Sequence, residues 1–216
     1  MKTFGAALLL ALVAGSLAAQ QDVTARLAGR VSPDIAALVQ QLATSAAERG
    51  LPVDPLIQKA IEGSAKGVPA DRVATALRAL SGQLDAAAAA LVQAGGAQPD
   101  TDAIAAGAFA LNAGLDKQNV TALALAGRPA NNVAPTLRVA STLAAMGVPA
   151  DDVVELVTQV IASGGGANEV LGLPAQVMAG VSRGRGVTPA QAAAGLARAA
   201  AARAGAPGQN KPKGKP

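Results

Sequence analysis

Gly50-Leu51-Pro52-Val53-Asp54, Gly67-Val68-Pro69-Ala70-Asp71 and Gly147-Val148-Pro149-Ala150-Asp151 are three copies of one phrase: a glycine, an apolar residue, a proline, then an acid. Looser copies stand at Gly114-Leu115-Asp116 and Gly186-Val187-Thr188-Pro189. Glycine closes a helix because it accepts the left-handed backbone at C′, and proline suits the first turn of the next one. The acid that follows complements the positive end of the new helix dipole. Each copy therefore reads as one helix ending and another beginning.

What lies between these turns fits helix and nothing else. The 216 residues include 56 Ala, 24 Gly and 13 Pro, with no Cys, His, Trp or Tyr and only two Phe. Alanine favours helix while glycine and proline interrupt it. Strands would need alternating β-branched and aromatic runs, and there are none. The predicted class is all-α.

Glycines at 50, 82, 114, 147 and 186 divide the middle of the chain into blocks about 32–33 residues long, with a longer last block. Each block contains its own inner turn: Gly67-Val68-Pro69, Gly96-Ala97-Gln98-Pro99, Gly127-Arg128-Pro129 and Gly164-Gly165-Gly166. A helical pair repeated at about this period predicts an array of short helical hairpins, either α-solenoid-like or a compact helical-repeat bundle. The tetratricopeptide and ankyrin patterns are not matched, because their fixed aromatic and Thr-Pro-Leu-His positions are missing.

Several helix faces are explicit. Ser32 stands at an N-cap position before Pro33, and Ile35, Leu38, Val39 and Leu42 follow at helical spacing. Leu56, Ile57, Ala60 and Ile61 form the next stripe, then Val73, Leu77 and Leu80. Val153, Leu156, Val157, Val160 and Ile161 form the strongest. Thr188-Pro189-Ala190-Gln191 has the form of a capping box. The uncharged run 86–98 predicts a central helix of its own.

The ends differ from this middle. Met1-Lys2-Thr3 is a short positive start, Gly5 to Ala14 is apolar, and Ser16-Leu17-Ala18 offers small residues to a signal peptidase. A signal peptide is expected over 1–19, an uncleaved anchor being the competing reading. A linker is expected over 20–31, the helical-repeat domain over 32–204 and a disordered Lys/Pro/Gly-rich tail over 205–216. Residues 19–170 carry 10 Lys/Arg against 14 Asp/Glu, whereas 171–216 carry seven basic residues and no acid. The chain is a mildly acidic body with a basic C-terminal part.

Candidate sites are few, and each has a plain structural competitor. Lys59, Glu62 and Lys66 fall on one helical face and are the candidate partner contact, although such faces are commonly just solvated ion pairs. Arg183 and Arg185, ahead of the Thr188 helix start, form with Lys211, Lys213 and Lys215 the candidate anion contact. The competitor there is a flexible solvated loop and tail. Asp151, Asp152 and Glu155 read as first-turn acids rather than as cation ligands, and Asp100-Thr101-Asp102 reads the same way. Asn119-Val120-Thr121 fits a glycosylation sequon but also a helix start.

Without His or Cys there is no usual base, metal ligand or thiol nucleophile. Scarce aromatics leave no platform for stacking sugars or single-stranded bases. No catalytic residue, metal or cofactor is implied. The expectation is an exported, non-catalytic helical-repeat protein that binds another macromolecule, most simply a protein, in the cell envelope or outside the cell. The alternative is a polyanion or anionic-surface binder acting through the basic C-terminal part. A small hydrolase using carboxylates or Ser comes third.

Overall fold

In the structure, a computed structural model, residues 22–95, 98–128, 133–184 and 186–205 are described. Among them every regular element is helical, so the all-α expectation is met. The helices are α1 (22–27), α2 (Pro33–Glu48), α3 (Asp54–Ala65), α4 (Ala70–Gln93), α5 (Thr101–Asn112) and α6 (Lys117–Gly127). They continue with α7 (Val133–Ala145), α8 (Ala150–Ala162), α9 (Ala167–Leu171), α10 (Leu173–Arg183) and α11 (Pro189–Gly205). The chain divides into two compact units, Met1–Asp85 and Ala86–Pro216, and the division falls inside α4. The predicted signal segment 1–19 and tail residues 206–216 lie outside the described residues.

The recurring phrase does what its chemistry requires. Gly50, Gly67, Gly114 and Gly147 all have positive φ, between 66° and 104°. At each, the glycine N–H and the next residue's N–H donate back into the helix that is ending. Gly147 bonds the Ala144 carbonyl at 2.9 Å and Val148 bonds that of Leu143 at 3.1 Å. Gly50 and Leu51 do the same to Ala47 and Ala46, and Gly114 and Leu115 to Leu111 and Ala110. This pair of hydrogen bonds is the Schellman stop, which also wants an apolar residue after the glycine. Leu51, Leu115 and Val148 supply it and are buried, whereas Val68 performs the same turn while exposed.

Gly147→Val is expected to lower stability by about 1–2 kcal/mol, since a β-branched residue resists the left-handed backbone. No atom beyond its chain neighbours lies within 4 Å of where its Cβ would stand, so backbone strain is the main cost. Urea unfolding checks this: the midpoint falls in Gly147→Val, and an unchanged midpoint contradicts the helix-stop role.

In the first unit, α2 packs against α3. The inner face of α2 is Ile35, Val39, Ala43 and Ala46, with Leu38 and Leu42 only half-buried at its flank. Leu56, Ile57 and Ala60 are the buried face of α3, and Ile61 is half-buried. Gly63 lets α4 come close, since a Cβ there would meet a Val73 methyl at 2.8 Å.

The structure departs from the sequence reading at four places in this architecture. The segment read as a linker over 20–31 contains α1, which buries Val23 and Leu27, one helical turn apart. Gly82 is no turn. It lies inside the 24-residue α4, so the block boundary placed there disappears. Gly82 is followed by Gln83 and Leu84 instead of an apolar residue and proline, and nothing in that run opposes continued helix. The uncharged run 86–98 is accordingly no separate helix: residues 86–93 finish α4. It is amphipathic rather than fully buried, with Ala87, Ala90 and Leu91 inside and Ala89, Val92 and Gln93 outside. Ser32 occupies the N-cap position of α2, but its side chain makes no capping bond.

In the second unit, α5 packs on α7, α6 on α7 and α8, α7 on α9 and α10, α8 on α11, and α10 on α11. Small residues bring these helices together. A Cβ on Gly107 would stand 3.0 Å from that of Ala87, and one on Gly180 would stand 3.0 Å from that of Ala192. Leu123, Leu137, Leu143, Leu156 and Leu173 provide the large side chains of this core.

Candidate functional site

The inward stripe Leu56, Ile57 and Ala60 turns the other side of α3 to solvent. Lys59 and Glu62 therefore point outward, joined by Lys66 at the C-cap. The Glu62 carboxylate accepts a hydrogen bond from Lys66 Nζ and lies 4.0 Å from Lys59 Nζ. Lys66, first through this bond and then through its charge, holds the Glu62 carboxyl below its ordinary value, and the charge of Lys59 adds to the effect. Whatever stability the triad contributes is present above the ordinary glutamate range and is lost on acidification through the lowered value. All three side chains are about half exposed or more, so the contribution is small.

The sequence did not reveal that this face borders a groove. Ala25, Arg26 and Arg30 from the α1 end of the unit, with Gln58, Ile61 and Glu62 from α3, line an open depression of about 590 Å³. Arg26 is held at 2.5 Å by Asp54 and at 3.7 Å by Asp22. The groove thus presents two guanidinium groups, one carboxylate, an amide and an isoleucine side by side. Arg26 and Arg30 were missed because their segment read as a linker. The spacing of Val23 and Leu27, with Asp22 and Arg26 at i and i+4, is the signal that marks a helix there.

The basic C-terminal candidates are dispersed. Arg183 is the last residue of α10, and its Nε donates to the Ala179 carbonyl of its own helix at 3.0 Å. Arg198 likewise donates to Ala194 at 3.2 Å, and Arg203 pairs with Glu169 at 2.7 Å. Arg185, Lys211, Lys213 and Lys215 lie outside the described residues. The helix start that Arg183 precedes is already occupied by the expected capping box. The Thr188 hydroxyl accepts from the Gln191 N–H at 3.2 Å, and the Gln191 side chain accepts from the Thr188 N–H at 3.0 Å. Two of the donors an anion would use there are taken by the chain itself.

The remaining motifs have structural roles. Asp100 caps α5, accepting from the Asp102 N–H at 3.3 Å, while Asp102 pairs with Arg138. Asn119 belongs to a second capping box, exchanging bonds of 2.8 and 2.9 Å with Asp116, so its sequon coincides with a helix start. Asp151 and Asp152 occupy the first turn of α8. Among the described residues no three acids gather as a metal-holding group, and no helix is long and apolar enough to cross a membrane. Phe109, the only aromatic of the described residues, is 45% exposed on α5. In comparisons with known proteins, no family model, curated protein or solved structure matches the chain.

Proposed function

We propose that the chain is an exported, non-catalytic helical-repeat protein that binds another macromolecule, a protein in the simplest case, through the exposed helix faces of its body. The observation that carries the binding reading is the open, mixed-charge groove edged by Glu62, with the Lys59–Glu62–Lys66 face beside it. Groups of both signs around an apolar residue offer a protein partner charge complementarity as well as a contact to bury.

The repeat reading draws support from long-range polar contacts of broadly similar span, from 28 residues for Arg26–Asp54 to 36. Arg49 reaches Asp85 across 36 residues and Arg138 reaches Asp102 across 36. Arg128 bonds the Ala94 carbonyl across 34, and Arg203 bonds Glu169 across 34. Each joins groups about one helical pair apart, as neighbouring units of a repeat would. Within the second unit, the packing of α5 on α7 and α6 on α8 follows the same rule. Export rests on the apolar N-terminal run, and the non-catalytic reading on a chain without His or Cys.

Reversing both lysines, Lys59→Glu with Lys66→Glu, is expected to cut recovery of the partner from an envelope fraction about tenfold, because like charges then face a surface chosen for their opposite. Circular dichroism should be unchanged, since both side chains are exposed. Equal recovery by the variant contradicts the assigned face.

A second reading, attachment to a polyanion or anionic surface, is favoured by one feature: beyond Glu169 the chain has seven basic residues and no acid. Attraction of this kind gives charge without shape and weakens steeply with salt.

A further inference from the structure

Three charged residues line the groove of the first unit, and two of them are already compensated. Arg26 is paired with Asp54 and Asp22. Glu62 accepts a hydrogen bond from Lys66 and has Lys59 Nζ 4.0 Å away. Arg30 differs: among the described residues its guanidinium has neither an ion pair nor a hydrogen bond.

The backbone that carries Arg30 is nevertheless held. Gly29, at φ 68°, ends α1 in the left-handed conformation, and the Arg30 N–H donates to the Leu27 carbonyl at 3.0 Å. Leu27 is itself buried, so this turn is anchored to the core. The result is an exposed guanidinium on a fixed turn, and its planar fork of donors matches a carboxylate.

The shape of the groove narrows the kind of ligand. Its volume of about 590 Å³ falls in the small-molecule range, but small-molecule sites bury most of their ligand and this depression is open. One or two side chains of a longer segment suit it better, with the rest of the segment lying outside. Ile61 and Ala25 offer such a segment an apolar contact, and Gln58 an amide. The uncompensated charge is positive, so an acidic segment is favoured, and the chain's own Lys-rich C-terminus has the wrong sign.

We propose that the groove receives an acidic segment of a partner protein, with a carboxylate seated on Arg30 and an apolar neighbour on Ile61. This rests on the protein-binding reading above and adds the chemistry of the occupant.

NMR titration of the full chain with three capped peptides, Glu-Glu-Leu-Glu-Glu and its all-Lys and all-Gln counterparts around the same Leu, tests this. The acidic peptide is expected to shift the backbone amides of Ala25, Arg30 and Ile61, the Gln peptide to shift them less, and the Lys peptide to leave them in place. Arg30→Gln is expected to weaken the acidic peptide about fivefold, the effect of losing one exposed charge pair. Arg198→Gln, on α11, leaves it unchanged. Equal or larger shifts with the Lys peptide, no shift with the acidic one, or undiminished binding by Arg30→Gln overturns the proposal. Movement of the same amides on diluting the chain alone overturns it too, because a second copy is then the occupant. The double lysine reversal separates this proposal from the reading beneath it. Capture lost in that variant while the groove ignores the acidic peptide removes the acidic segment alone, whereas peptide binding with capture intact removes the lysine face alone.

Discussion

Leu137→Ala is expected to destabilise the protein by about 3 kcal/mol, within the range found when a fully buried leucine is truncated. Leu137 has no exposed surface and lies on α7, the helix against which α5, α6, α8, α9 and α10 all pack. Few neighbours can fill the space it would leave, because most of the side chains in this core are Ala and Val. Total stability of a domain is commonly only 5–15 kcal/mol, so a loss of this size moves a urea midpoint plainly. A change below about 1 kcal/mol would mean that α7 is not the centre of the second unit.

Gly107→Val is expected to cost about 2–3 kcal/mol for the opposite reason, overfilling a tight contact. The added Cβ would stand 3.0 Å from the Ala87 methyl and 3.6 Å from a Val120 methyl, and the branch adds atoms beyond it. Gly107 is inside α5, where replacing glycine otherwise favours helix, so the packing and propensity terms have opposite signs. Overpacking is the larger of the two. Calorimetry on the variant checks this, and a raised melting temperature would show that α4 and α5 have room to separate at this point.

These two positions show how far the sequence could be read. Helix ends were legible where chemistry is local: the glycines at 50, 67, 114 and 147 stop helices because a left-handed residue followed by an apolar one is a local requirement. Gly82 misled because glycine without that context is tolerated inside a helix, and spacing alone does not separate the two cases. Inner faces were legible where Leu, Ile and Val mark them, as at Val153, Leu156, Val157 and Val160. They were obscure where alanine does, as at Ala43 and Ala46 of α2, since alanine serves inside and outside alike.

The candidate site divides in the same way. The Lys59–Glu62–Lys66 face follows from helical spacing and was readable, whereas the groove beside it depends on α1 meeting α3. That meeting rests on contacts such as Arg26–Asp54, 28 residues apart, for which a single sequence offers no local sign.

The helical body, not the basic tail, is proposed to carry the specific contact. Affinity for the captured partner across a salt series, with the full chain and with a chain ending at Gly205, decides between the two. Nearly equal affinities for the two chains and a shallow dependence on salt are expected, since shape and short-range contacts on α3 and its groove are little screened. Loss of binding at low salt when residues 206–216 are removed would contradict it, and would make the C-terminal basic part the functional element and the helical body its carrier.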